Sequence, residues 1–157
     1  MFGCVKRLAM ELYAFDYSPT ILVADSAKSI TKGFKKVFNL LFRIDCWAHV
    51  DRNIDKNMLK LVSDKNTRES IKADIDAFQN NVETEYFETV ARLMATKWKE
   101  KFVDQVDNFI KYFSKQWLSP KRMGWFDHYC LWTPVQNNAL EGQIIMLRVL
   151  MELIVTD

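Results

Sequence analysis

The sequence contains few of the residues that interrupt regular structure or form covalent cross-links. Its 157 residues include four glycines, three prolines and three cysteines. With so little glycine and proline and a hydrophobic fraction of 49%, the composition argues against disorder and favours a mostly helical globular protein. An odd and sparse set of cysteines argues against a disulfide scaffold and is typical of a reducing compartment. We therefore expect an intracellular protein.

A strong net charge and long apolar runs are also missing. The 22 basic and 20 acidic residues leave a formal charge of +2, so any nucleic-acid surface would have to be a local patch. The apolar stretches fall far short of a membrane span. Residues 1–10 have no signal-peptide core, because Cys4, Lys6 and Arg7 interrupt them. We expect neither a membrane partner nor a secretion signal.

The hydrophobic pattern predicts a single domain that begins with an α/β unit. Residues 3–15 carry apolar side chains at helical spacing, and the aliphatic run from Ile21 to Ala24 predicts a buried strand. A helix over 26–38 and a second strand over 40–46 would follow. Strand, helix and strand within about thirty residues are typical of a parallel crossover unit.

The pattern after the second strand is helical. Four apolar stripes at spacings of three and four predict four helices, the last of which ends before Pro120. The stripes begin at Val50, Ile71, Phe87 and Phe102. Asn66, followed three residues later by Glu69, resembles a capping box. A loop over 121–133 and a last helix over 138–155 complete the predicted elements.

Asp25 is the first candidate functional residue, because it stands at the carboxyl end of the first predicted strand. In open α/β sheets ligands gather at that edge, where a divalent metal can hold a carboxylate ionised. The alternative is that Asp25 caps the next helix. That helix carries lysines that either contact phosphates or form a solvated face, namely Lys28, Lys32, Lys35 and Lys36.

Two more polar groups occupy related positions along the chain. Cys46 and His49 follow the second predicted strand, and Asn137, Asn138 and Glu141 open the last predicted helix. The two asparagines are candidate caps of that helix, which would also orient Glu141.

Cys46 and His49 admit two interpretations from the residues alone. In the structural one, Cys46 is buried and His49 packs or caps near the sheet end. In the other, His128 and Cys130 complete a structural zinc set with them.

Taken together and in this order, these features resemble the transposases of Mutator-like elements (MULEs), which are DDE-type transposases with a ribonuclease H-like fold. The matching pieces are Ile21-Leu22-Val23-Ala24-Asp25, residues 27–38, residues 43–53 and residues 137–142. The resemblance runs from about Leu12 to Arg148. It implies an α/β fold that is predominantly helical: an incomplete ribonuclease H-like core over 1–50, a helical insertion over 51–120, and a loop with a C-terminal helix over 121–157.

The resemblance also implies a chemistry and a set of partners. Asp25 would be the second acid of the triad and Glu141 the third, both as ligands of Mg²⁺ or Mn²⁺. His49 would lie near the scissile phosphate. The partners would be DNA at transposon ends and at target sites, in the nucleus. A homo-oligomer of the chain would also be compatible with the resemblance.

No position of this sequence matches the first acid of that family. We therefore expect a fragment of a DNA transposase catalytic domain that is inactive alone. One alternative is a domesticated or decayed remnant that binds DNA or protein without catalysis. Another is an all-helical interaction module in which the strand before Asp25 does not form.

Overall fold

The computed structural model of the chain describes residues 1–119 and 124–130. These residues form a small parallel sheet and six α-helices. In chain order, the elements are α1 (Phe2–Tyr13), β1 (Ile21–Ala24), α2 (Lys28–Lys35), β2 (Phe42–Asp45), α3 (Trp47–Leu61), α4 (Lys65–Asn81), α5 (Phe87–Phe102) and α6 (Asp107–Trp117). Short 3-10 turns lie at Thr84–Tyr86, Val103–Val106 and Asp127–Tyr129. The prediction of a predominantly helical chain with a small sheet is confirmed.

The two strands pair in parallel, with Ile21 opposite Phe42 and Ala24 opposite Asp45. The Ala24 carbonyl accepts a hydrogen bond from the Cys46 amide at 2.9 Å. Since α2 connects two parallel strands, both carboxyl ends lie at one edge of the sheet. The predicted crossover unit is therefore confirmed, with a second strand shorter than expected, and the all-helical alternative is wrong.

The two faces of the sheet have different coverings. On one face Leu22 and Ala24 pack against Phe34 of α2 and against Phe38, which follows that helix. On the other face Ile44 packs against Cys130. The crossover helix and the segment around residue 130 thus enclose the strands from opposite sides.

The apolar stripe predicted for α1 does not belong to a core of the described residues. Val5, Leu8 and Leu12 are each at least 45% exposed. The helix packs through another side, where the Phe2 ring lies 5.4 Å from the Phe34 ring in an edge-to-face contact. Helical spacing therefore identified the helix but not the face that it buries.

Helices α3 to α6 enclose the largest hydrophobic core. Its buried members include residues of each of the four stripes predicted after β2, among them Val50, Ile54, Met58, Ile71, Ile75, Phe78, Phe87, Met94, Phe109, Phe113 and Trp117. Leu93 belongs to the predicted stripe that begins at Phe87, yet it is 58% exposed, whereas Trp98 is fully buried. The Trp98 indole donates a hydrogen bond to the Asp74 carboxylate at 2.8 Å, which satisfies its buried N–H.

Several helix boundaries differ from the sequence prediction; α2, for example, spans Lys28–Lys35 rather than 26–38. The residue that caps α4 is Asp64, whose carboxylate accepts from the Thr67 amide at 2.7 Å, rather than Asn66. The stripe from Phe102 to Trp117 is divided between two helices. Val103 has a φ of 51°, a conformation that an α-helix cannot continue, so α5 ends at Phe102.

Trp125, which lies in the predicted loop, belongs to the helical core. It is fully buried and stacks on Phe78 at 5.5 Å and on Trp47 at 5.7 Å between ring centroids. Its indole donates to the Trp117 carbonyl at 2.8 Å. This segment therefore closes the core over α3, α4 and α6.

No helix within residues 1–119 and 124–130 has the length and hydropathy needed to cross a membrane. The predicted helix over 138–155, with Asn137, Asn138 and Glu141, lies outside the described residues.

Candidate functional site

Asp25 lies directly after β1, at the edge where both strands end. Its Oδ1 accepts a hydrogen bond from the Ala27 amide at 3.0 Å, just before α2 begins. Its carbonyl accepts from the Arg43 guanidinium. One carboxylate oxygen therefore shapes the turn that precedes α2, and the backbone of Asp25 is tied to β2. The N-cap residue of α2 is Ala27, so Asp25 is not the helix cap that the alternative expected.

Arg43 and Asp45 form a charged pair beside Asp25 for which sequence reasoning found no role. Asp45 is buried, and its carboxylate lies 3.3 Å from the Arg43 guanidinium. Arg43 also donates to the Thr31 hydroxyl at 3.0 Å and to the Ala24 carbonyl at 3.3 Å. A buried carboxylate is tolerated when it is paired in this way. The available signal was an opposite-charge pair two residues apart in a strand.

Cys46 and His49 lie at the same edge, at the start of α3. Cys46 is fully buried and is the N-cap residue of the helix, and the His49 amide donates to its carbonyl at 3.0 Å. The His49 Nδ1 is buried and has no hydrogen-bond partner among the described residues. The burial of Cys46 agrees with its structural interpretation.

The described residues do not bring Cys46, His49, His128 and Cys130 together as the zinc interpretation requires, because no group of three His, Cys, Asp or Glu side chains there is placed to hold a metal ion. Cys130 packs against Ile44 in a small apolar cluster. His128 is exposed, and its carbonyl accepts from the Thr84 hydroxyl at 2.9 Å beside the end of α4. The 3-10 turn at Asp127–Tyr129 thus places the backbone of His128 against the segment that follows α4.

The same observation bears on magnesium or manganese. Of the two ligands that the resemblance implies, only Asp25 is among the described residues, and Glu141 lies outside them. Asp45, the acidic residue at the end of β2, forms an ion pair with Arg43. The described part of the chain therefore does not complete a two-metal site.

Lys72 fixes the start of α3, and with it His49, against α4. Its ammonium lies 2.6 Å from the carboxylates of both Asp51 and Asp76 and 5.5 Å from the Trp47 ring centroid. Burial alone lowers the pKa of Lys72, but the hydrogen bonds that its ammonium donates to the two carboxylates outweigh this effect, so the pKa is raised.

A cationic cleft of about 500 Å³ opens beside the strand-end edge, between α2 and the carboxyl end of α6. Its lining includes the lysines Lys28, Lys32, Lys35 and Lys115. It also includes the Arg43–Asp45 pair, so among the described residues that line the cleft five cationic side chains face one carboxylate. The formal charge of the whole chain is only +2, so positive charge is concentrated here.

No protein-family model, curated protein or solved structure matches the chain. The support for a function therefore comes from how its own residues are arranged at the strand-end edge and in the adjoining cleft.

Proposed function

We propose that this chain is a fragment of the catalytic domain of a DDE-type DNA transposase, of the Mutator-like kind that its motifs resemble. The observation that carries the proposal is the position of Asp25 at the carboxyl end of β1. A parallel β-α-β unit presents its catalytic groups at that edge, and Cys46 and His49 follow β2 at the same place. On this proposal, β1, α2 and β2 belong to an incomplete ribonuclease H-like core.

Such a domain cuts and joins phosphodiester bonds with two hard divalent ions, Mg²⁺ or Mn²⁺, held by carboxylates. Asp25 and Glu141 would supply two of these carboxylates, and His49 would stand near the scissile phosphate. Since no position of this sequence matches the first acid of the family's triad, we propose that the chain alone neither cleaves nor joins DNA. Its partner would be DNA at transposon ends and target sites, in the nucleus. A homo-oligomer of the chain is compatible with this proposal.

Manganese binding tests the proposed role of Asp25 directly. Electron paramagnetic resonance of Mn²⁺ titrated into the purified chain should show weak binding that Asp25→Asn and Glu141→Gln each abolish. An Asp107→Asn variant, altered in the first turn of α6, is the matched control. Mn²⁺ binding that persists unchanged in both site variants would contradict the proposal.

A cleavage assay tests the proposed lack of activity. The purified chain, incubated with labelled duplex DNA and Mn²⁺, should release no product beyond that of the Asp25→Asn chain. Cleavage that disappears in Asp25→Asn would show that the metal site is complete without a further acid, and the fragment proposal would then be wrong.

A second candidate is a decayed transposase remnant that binds DNA without catalysis. The cationic cleft favours it, because lysines contact phosphates without any help from an acid. Duplex binding that is insensitive to Mn²⁺, together with no Mn²⁺ binding by the chain, would support this candidate over the first.

A further inference from the structure

The lysines of the cleft come from two distant parts of the chain. Lys28, Lys32 and Lys35 lie on α2, and Lys115 lies near the end of α6. On α2 they follow spacings of four and three, so they share one helix face. Lysines so spaced repel one another, and the approach of Lys115 increases that repulsion. A folded chain that gathers these charges is ready to take an anionic ligand.

The charges of these lysines are not neutralised within the described chain. None of the four forms an ion pair with a described residue, whereas Lys6, Lys65, Lys72 and Lys97 each do. Asp45, the carboxylate among the described lining residues, lies 3.3 Å from the Arg43 guanidinium. Arg43 therefore offsets that negative charge, and the four lysines dominate the potential of the cleft.

The spacing of the lysines suits a chain of phosphates better than a single one. Lys28 and Lys35 are seven residues apart, which is about 10 Å along a helix axis. At about 3.4 Å of axial rise per phosphate of one strand, this distance covers about three phosphates. Hydroxyl groups of Ser26 and Ser119 also line the cleft and can donate hydrogen bonds to phosphate oxygens.

We propose that the cleft between α2 and α6 binds the phosphodiester backbone of a nucleic acid, with Lys32 and Lys115 contacting it from opposite elements. This inference rests on the proposed function, because it assigns the surface that holds the DNA. Binding through phosphates carries no sequence information. It requires no metal ion and weakens steeply as salt rises, because condensed counterions are released on binding.

Fluorescence anisotropy of a labelled duplex, titrated with the whole chain in EDTA at several salt concentrations, tests the cleft. Lys32→Gln and Lys115→Gln should each weaken binding roughly five- to tenfold at 0.1 M salt and reduce the salt slope by about one. The matched control is Lys36→Gln, since Lys36 is exposed at the end of α2 and does not line the cleft. That control should bind as the wild type does. Circular dichroism melts should show that all three variants are folded.

Each remaining outcome is decisive. If Lys36→Gln weakens binding as much as the cleft variants, or if the cleft variants bind as the wild type does, the cleft assignment is overturned while DNA remains the partner. If polyglutamate binds with the same lysine dependence and affinity, the nucleic-acid assignment is overturned. If the wild type binds no duplex even at low salt, DNA is not a partner of this chain, and the proposed function fails with it.

Discussion

The α-carbon of Gly124 lies against the backbone of β2 at Arg43. A β-carbon at position 124 would come within 2.2 Å of the Arg43 carbonyl oxygen and 3.2 Å of its carbonyl carbon. At the same contact the Asp45 amide donates to the Gly124 carbonyl at 2.7 Å. The segment that brings Trp125 into the helical core is therefore fastened to the strand that holds the Arg43–Asp45 pair.

Replacing Gly124 with alanine should destabilise the protein. The atoms that the new methyl group meets belong to the backbone of a paired strand, so they cannot move aside without disturbing the sheet. Overpacking of this kind costs about 1–3 kcal/mol of unfolding free energy. Urea unfolding followed by tryptophan fluorescence measures the loss, and a Gly124→Ala chain as stable as the wild type would contradict the contact.

Gly33→Ala should increase the unfolding free energy, and it is therefore the matched comparison for Gly124→Ala. Gly33 lies inside α2, and a β-carbon there would be 3.5 Å from the Phe2 ring, an ordinary van der Waals distance. Alanine is favoured over glycine inside a helix by up to about 1 kcal/mol. The same unfolding experiment should therefore show an increase in stability, and a clear loss would mean that α1 and α2 pack differently.

Asp64 should make the stability of the protein depend on pH in acid. The hydrogen bond from the Thr67 backbone amide holds the pKa of Asp64 below its ordinary value of 3.8. The stabilisation is therefore complete above pH 3.8 and is lost as the pH falls through the lowered value of the folded protein.

Two variants of Asp64 separate its charge from its capping hydrogen bond. Asp64→Ala removes the cap and should lower the unfolding free energy at neutral pH. Asp64→Asn keeps an acceptor but cannot titrate, so its difference from the wild type should shrink as the solution is acidified. Unfolding curves from neutral to strongly acidic pH measure both effects. An Asn variant that follows the wild type at every pH would contradict the assignment.

Lys72 should stabilise the protein until strongly alkaline pH. Burial lowers its pKa, but the opposite effect of Asp51 and Asp76 is larger, so the pKa lies above the ordinary value of 10.5. The stabilisation is therefore present below pH 10.5 and is lost as the pH rises through the higher value of the folded protein.

Lys72→Met keeps an apolar side chain of similar length but removes the ammonium. At neutral pH it should cost about 1 kcal/mol, since the site is partly exposed and water screens the pairs. Lys65→Met, which removes an exposed pair with Glu69, is the control and should change stability by less than about 0.5 kcal/mol. Thermal melts at neutral and alkaline pH test this, and equal losses in the two variants would contradict a special role for Lys72.

The proposed site requires Glu141 to approach Asp25, with their side chains on the order of 10 Å apart or less. Asp25→Cys and Glu141→Cys introduced together should therefore react with a short bismaleimide to give an intramolecular cross-link. Cys4, which is exposed, would be replaced by alanine, whereas Cys46 and Cys130 are buried.

A cysteine at position 36 is the control for this experiment, because α2 carries Lys36 away from the edge where Asp25 lies. Cross-linking of position 141 to position 36 rather than to position 25 would show that the two acids do not share a site. Mass spectrometry of a tryptic digest identifies which positions are joined.

The sequence by itself was enough to determine the local elements. An aliphatic run marked β1, and residues alternating between two faces marked β2. Apolar spacings of three and four marked the helices around Ile54, Ile75 and Phe113, all of which are buried. The position of Asp25 and Cys46 after parallel strands followed from the same pattern. These predictions succeeded because the period of apolar residues depends on the geometry of one element, which neighbouring residues specify.

Only the tertiary structure decided which surfaces meet. No period marked Trp125 as the centre of an aromatic core, or Gly124 as the residue that fits against β2. The apolar spacing of Leu8 in α1 is as regular as that of a buried stripe, yet Leu8 is exposed. Likewise, Lys32 and Lys115 line one cleft although they are distant in sequence. Such contacts depend on how separate elements pack together, and a local pattern of residues does not encode that packing.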